Sequence, residues 1–127
     1  MKEMKLKDTV YLMTSDRYED RLVGEYAQLI IRISKLENFL VKYSKKELKM
    51  KLKANPSSLF SQYMAMIYYA IRLKVRIAEE GIDIFKHIPD FELPVVYKKD
   101  NVDIFSQEIW NSHSMTSYIW EDTNIKR

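Results

Sequence analysis

The chain has 127 residues, 46% of them apolar and 31% charged, with a formal net charge of +3. That length fits one domain, and that apolar share excludes wholesale disorder. Cysteine is absent, which excludes disulfide scaffolds, thiolate zinc sites and thiol catalysis. Two glycines and three prolines point to long regular elements rather than glycine-rich phosphate loops. The mild positive charge favours an anionic partner without demanding nucleic acid.

Residues 4–13, MKLKDTVYLM, alternate imperfectly between apolar and polar, and Thr9, Val10 and Tyr11 favour a short strand. A long helix follows, capped by Thr14 or Ser15, with Asp16, Glu19 and Asp20 where the helix dipole favours negative charge. Leu22, Tyr26, Leu29, Ile33, Leu36 and Leu40 form a heptad seam on it, and Val23, Ala27, Ile30 and Ile31 widen that seam to a second side. Gly24 inside this helix costs about 1 kcal/mol relative to Ala. A close approach by a helix or a ligand would account for it. The connection carries Lys42, Lys45, Lys46, Lys49, Lys51 and Lys53 against Glu47 alone, with a ragged helical turn from Leu48, Met50 and Leu52.

Pro56 ends the connection, and Asn55 or Ser57 can cap a second helix that runs to about Glu80 and stops at Gly81. One of its seams, Leu59, Tyr63, Met66, Ala70, Leu73 and Ile77, can pair with the first helix in an antiparallel hairpin. A second seam, Phe60, Met64, Ile67, Ile71, Val75 and Ala78, stays open unless another chain or the rest of this one covers it. Beyond Gly81, LPVVY and NVDIF flank KKD as a plausible β-hairpin, and SMTSYIW is a third candidate strand. The expected class is α+β: one domain over 1–127, with an antiparallel helical hairpin over 14–81 and a small β-rich segment over 82–127, which the N-terminal strand can join. The start lacks an apolar core with a cleavage site, and no stretch approaches about 18 uninterrupted apolar residues. A cytoplasmic protein that neither crosses nor binds a membrane is expected.

Chemistry is sparse. His87 and His113 have no metal-motif spacing and read as surface or packing residues. Asp16, Glu19 and Asp20 read as a charged helix start before a hydrolytic pair. No nucleophile elbow, Walker or Rossmann motif is present, so neither an enzyme nor a cofactor is expected. The lysine connection lacks the interleaved aromatics of a nucleic-acid groove and reads as a solvated loop. Tyr69, Arg72 and Arg76 share one stripe at spacings of 3 and 4. That stripe is either an exposed salt-bridge face or a phosphate clamp beside a stacking ring. Arg17 and Arg21 could supply a similar clamp. An antiparallel hairpin would gather Arg17, Arg21, Arg72 and Arg76 at one end, beside the C-terminal segment. Phe85, Phe91, Tyr97, Phe105 and Trp110 there serve mostly as packing, with a minority free to wall a pocket.

The stretches DRYEDRLVGEYAQLIIRISKLENFL and LFSQYMAMIYYAIRLKVRIAEEGI, joined by lysines, resemble the helical hairpin of phage sponge proteins that counter bacterial immune signalling. In particular they resemble the Thoeris anti-defence sponges, and the anti-CBASS sponges for cyclic oligonucleotides share the hairpin. The resemblance covers roughly Arg17 to Ile82. It implies a homo-oligomer built on the hairpins, from dimers to hexamers, in the host bacterial cytoplasm, with the second seam of the second helix as a subunit interface. It also implies that a glycocyclic ADP-ribose signal made by TIR-domain enzymes is held without turnover. An aromatic and an asparagine ten residues apart in that family resemble Phe91 and Asn101. Some members bind cyclic trinucleotides at a separate site. Two other readings stay open: a hairpin that docks a host protein and takes no small molecule, and a small nucleic-acid binder.

Overall fold

The computed structural model describes residues 1–96. Its two long elements are α2 (Tyr18–Lys42) and α4 (Pro56–Glu79), packed on each other as an antiparallel hairpin. The pairing follows from the expected seams. Leu22, Tyr26, Leu29, Ile33 and Leu40 of α2 are buried, as are Tyr63, Ala70, Leu73 and Ile77 of α4. Each fully buried Leu or Ile stabilises the fold by about 1.5–3 kcal/mol. Inside this interface the Tyr63 hydroxyl donates to Glu37 Oε2 at 2.9 Å, and both residues are buried.

α2 is apolar well beyond one seam. Val23, Gly24, Ala27, Ile30 and Ile31 are buried too, so the first half of the helix needs cover on several sides. The N-terminal segment supplies part of it and corrects the strand expected over 4–13. The strand is β1 (Lys2–Glu3), followed by a 3₁₀ turn (Leu6–Thr9) and the short helix α1 (Val10–Met13). Polar side chains close these turns locally and outweigh β propensity. The Asp8 carboxylate accepts the Lys5 N–H at 2.8 Å, and the Thr9 hydroxyl donates to the Leu6 carbonyl at 2.7 Å. The turns bury Met4, Thr9 and Leu12.

α1 explains Gly24. A Cβ there would lie 2.8 Å from Leu12 Cβ and 3.2 Å from the Met13 nitrogen. The missing side chain lets one helix rest directly on the other. α2 itself begins later than expected: neither Thr14 nor Ser15 is its cap. Arg17 holds that position in extended conformation without a side-chain cap, while the Ser15 hydroxyl accepts the Arg17 N–H at 3.1 Å.

The lysine-rich connection is a helix, α3 (Lys45–Lys51), rather than a ragged turn. Ser44 and Glu47 form its capping box, and Leu48 buries its inner side. Asn55 caps α4 through Ser57, with Pro56 at the first helical position. At the other end Gly81 adopts φ 67°, and the bonds Gly81 N–H to Ala78 O and Ile82 N–H to Ile77 O close a Schellman motif.

The second seam of α4 is largely covered within the chain, which corrects its assignment to a subunit interface. Phe60, Ile67 and Ile71 are buried, Met64 and Val75 half-buried, and Ala78 exposed. All but Ala78 join or pack against one core with Met4, Leu12, Ile84, Ile88 and Val96, because the wide α2 surface draws both sides of α4 inward. The outward face of α4 is instead Ser58, Ser61, Gln62, Ala65, Tyr68, Tyr69, Arg72 and Arg76.

After Gly81 the chain forms α5 (Ile84–His87), capped by Asp83, and β2 (Phe91–Glu92). β2 pairs in parallel with β1, Lys2 opposite Phe91 and Glu3 opposite Glu92, so the N-terminal strand does join the C-terminal segment. No strand forms over 93–96, where Pro94 offers no N–H to a ladder. The remainder of the expected β-hairpin and the strand SMTSYIW lie outside the described residues.

Gly24→Ala is expected to destabilise the protein by up to about 2 kcal/mol. Overpacking costs about 1–3 kcal/mol and the better helix former returns about 1. Urea denaturation measures it, and a raised midpoint would show that α1 does not lean on Gly24. Tyr63→Phe removes a donor from buried Glu37 and is expected to cost about 1–3 kcal/mol with unchanged helix content by circular dichroism. A neutral result would mean that other groups satisfy the carboxyl.

Candidate ligand site at the arginine end of the hairpin

The antiparallel pairing sets the last turns of α4 beside the first turn of α2. Arg76 Nη2 donates to the Tyr18 hydroxyl at 2.6 Å, across 58 residues of sequence. Arg17 lies immediately before Tyr18. Arg21, one turn on, sends Nη1 to the Ser15 carbonyl at 2.8 Å. Arg72 is exposed one turn above Arg76, and Tyr69 is exposed three residues before Arg72. The structure therefore brings Arg17, Arg21 and Arg76 to one end, with Arg72 and Tyr69 leading away along the outer face of α4.

This end is not purely cationic. Arg17 Nε lies 3.9 Å from Glu19 Oε2, with both side chains well exposed, a pairing worth little in water. Asp20 is engaged on both oxygens: the Ser15 hydroxyl donates to Oδ2 at 2.7 Å, and His87 Nδ1 lies 2.6 Å from Oδ1. The Ser15 hydrogen bond is the main reason that the Asp20 carboxyl is held below its ordinary range, and the bond with His87 is the next. The Tyr11 hydroxyl donates to the His87 carbonyl at 2.9 Å. Partial burial pushes the Tyr11 phenol up, and the negative charges of Asp20, Asp90 and Asp8 add to the shift. A ligand with spread anionic charge would meet arginine forks on the α4 side and carboxylates on the α5 side.

Phe91 sits in β2, half-buried and packed against the core, so only part of its ring is offered to a ligand. Asn101 lies outside the described residues. Sequence reasoning missed the Asp20–His87 pair. The partners are 67 residues apart and belong to no local motif, so only the docking of α5 joins them. Among the described residues, no group of three or more His, Cys, Asp or Glu side chains is placed to hold a metal ion. No described helix is long and apolar enough to cross a membrane.

One family model, described as Sequestin, matches residues 16–79. The match begins two residues before α2 and ends with α4, so it covers the hairpin with Arg17, Arg21, Tyr69, Arg72 and Arg76. Phe91 and Asn101 lie beyond it. It fits the sponge family that the residues resemble, and the name itself speaks for sequestering a signal molecule. No curated protein and no solved structure matches the chain.

The Asp20 pair has a definite pH signature. A carboxyl whose folded value is depressed contributes stability that is complete above its unfolded value, about 4, and is lost as pH falls through the folded value. Asp20→Asn is therefore expected to be less stable than the parent at neutral pH, and to lose less on acidification from pH 5 to 2. Thermal midpoints across that range test it, and parallel curves for the two proteins would remove the pair from the acid response.

Proposed function

The chain belongs to the Sequestin family, and we propose that it holds a glycocyclic ADP-ribose signal made by TIR-domain enzymes intact, silencing Thoeris immunity in the bacterial cytoplasm. The observation that carries this reading is the Arg76–Tyr18 bridge, which gathers arginines from both hairpin helices at one end. A ligand of this kind carries two phosphates, two riboses and an adenine. Arginine forks suit its phosphates, and an exposed ring such as Tyr69 suits its base. The family resemblance adds Phe91 and Asn101 as candidate contacts, of which Asn101 lies outside the described residues.

Binding without turnover is supported by the family's description as Sequestin, a name for holding a molecule rather than converting it.

The outward face of α4 favours an accompanying homo-oligomer. From Pro56 to Ile71 the helix carries no charged residue, and Ala65, Tyr68 and Tyr69 are exposed along it. Tyrosine-rich uncharged surface of this kind suits a protein contact. The same face supports the second reading, a hairpin that docks another protein and takes no small molecule.

The two readings separate in one experiment. Protein is incubated with the cyclic signal and heat-denatured, and the supernatant is analysed. Recovery of the intact signal supports sequestration, whereas recovery of breakdown products would establish an enzyme and no binding would favour the docking module. In titration calorimetry, the double variant Arg72→Ala, Arg76→Ala is expected to bind at least about tenfold more weakly. Phe91→Ala and Asn101→Ala are expected to weaken binding while light scattering shows the parent's assembly. Unchanged affinity in all of these would displace the site from this end.

A further inference from the structure

The four arginines at this end of the hairpin differ in what already holds them. Arg17 faces Glu19, with Nε 3.9 Å from Oε2. Arg21 sends Nη1 to the Ser15 carbonyl at 2.8 Å, which ties the turn before α2 back to the helix. Among the described residues, neither Arg72 nor Arg76 takes part in an ion pair. Of the four, Arg76 is the one held across the hairpin by a neutral side chain: its Nη2 donates to the Tyr18 hydroxyl at 2.6 Å. Its charge is therefore oriented without being cancelled.

The direction of that bond leaves a second donor beside it. A guanidinium has five N–H donors and no acceptor, whereas a phenol hydroxyl has one O–H donor and two acceptor lone pairs. Arg76 must donate and Tyr18 accept, so the phenol proton is left for a third group. Among the described residues, no other hydrogen bond engages the Tyr18 hydroxyl. Tyr18 is 42% exposed and Arg76 is exposed as well, so both are within reach of a ligand. The pair thus presents the phenol O–H and the remaining guanidinium N–H groups from one place. An anion with several acceptor oxygens, such as phosphate, matches that set of donors.

Orientation also lowers the cost of binding. An arginine on a helix surface loses rotamer freedom when a ligand fixes it. The Tyr18 bond removes part of that freedom before any ligand arrives. Tyr18 suits the task because it is the first residue of α2, so the packing of α2 on α4 sets its place rather than a loop.

We propose that Tyr18 is a ligand-binding residue that holds the Arg76 fork in place and donates with it to one phosphate of the ligand. The assignment rests on the reading of this end as the site for the cyclic signal. It ranks Arg76 above Arg17 and Arg21, whose guanidinium groups already have partners within the chain.

Titration calorimetry of the full-length protein with glycocyclic ADP-ribose tests it, using Tyr18→Phe, Arg76→Ala, their double variant and Arg76→Lys. Tyr18→Phe keeps the ring and loses the hydroxyl. It is expected to bind at least about fivefold more weakly, with an unchanged thermal midpoint. The double variant is expected to lose less than the product of the two single losses, because the hydroxyl acts partly through the fork. Arg76→Lys keeps the charge without the planar fork, and is expected to bind at least about fivefold more weakly than the parent. Parental affinity in Arg76→Lys would show that charge alone suffices and would overturn the pairing, even if Tyr18→Phe proved less stable. Parental affinity in Tyr18→Phe, or single losses that simply multiply, would overturn the assignment and leave the cyclic-signal reading standing. No binding by the parent would overturn both.

Discussion

The breadth of apolar surface on α2 governs this fold. A helix with one seam needs one partner. From Leu22 to Ile33, α2 buries side chains nearly all round, so a single partner helix leaves it uncovered. α4 takes one side. The N-terminal 3₁₀ turn and α1 take another, close enough to require glycine at position 24. α5 packs on it as well. The small sheet, the Tyr11 and His87 contacts and the place where β2 ends up all follow from covering this helix.

The same constraint explains what was legible in the sequence. The hairpin could be read because its signals are periodic and local: seams at 3 and 4 spacing, Asn55-Pro56 at one start, Gly81 at one stop. Gly24 advertised a close approach, and a helix makes it. Three features resisted reading. Thr9, Val10 and Tyr11 carry strand propensity, but Asp8 and Thr9 close turns on the backbone next to them, and burial of Leu12 against α2 decides the outcome. The second seam of α4 looked free because nothing in α4 itself reveals how wide its partner surface is. Asp20 and His87 gave no hint of each other because their meeting depends on docking across 67 residues.

The candidate site was legible to a different degree. Convergence of the arginines needed only an antiparallel hairpin and two positions on each helix, so helical geometry was enough. Its electrostatic character was not available that way. The carboxylates of Asp20, Asp8 and Asp90 reach Tyr11 from three separate segments, and they turn a cationic end into one divided between cationic and anionic sides. The lysine run shows the same limit. Its six cations look alike in sequence, whereas the fold sends Lys42 and Lys51 to the Tyr43 ring, with Nζ 5.5 Å and 4.8 Å from its centre.

The parallel pairing of Lys2 with Phe91 has a consequence for how the chain reaches its final form. Bringing residues so distant together costs loop-closure entropy, which two strands of two residues each cannot offset with their own hydrogen bonds. The sheet therefore depends on prior collapse: once the N-terminal turns and α5 have settled on α2, the two strands lie side by side at little further cost. The contacts of the helical hairpin lie nearer in sequence and need less chain closure than this pairing does. The position of Phe91 is accordingly inherited from helix packing. A substitution under α1 or α5 would shift that ring as surely as one in the strand that carries it.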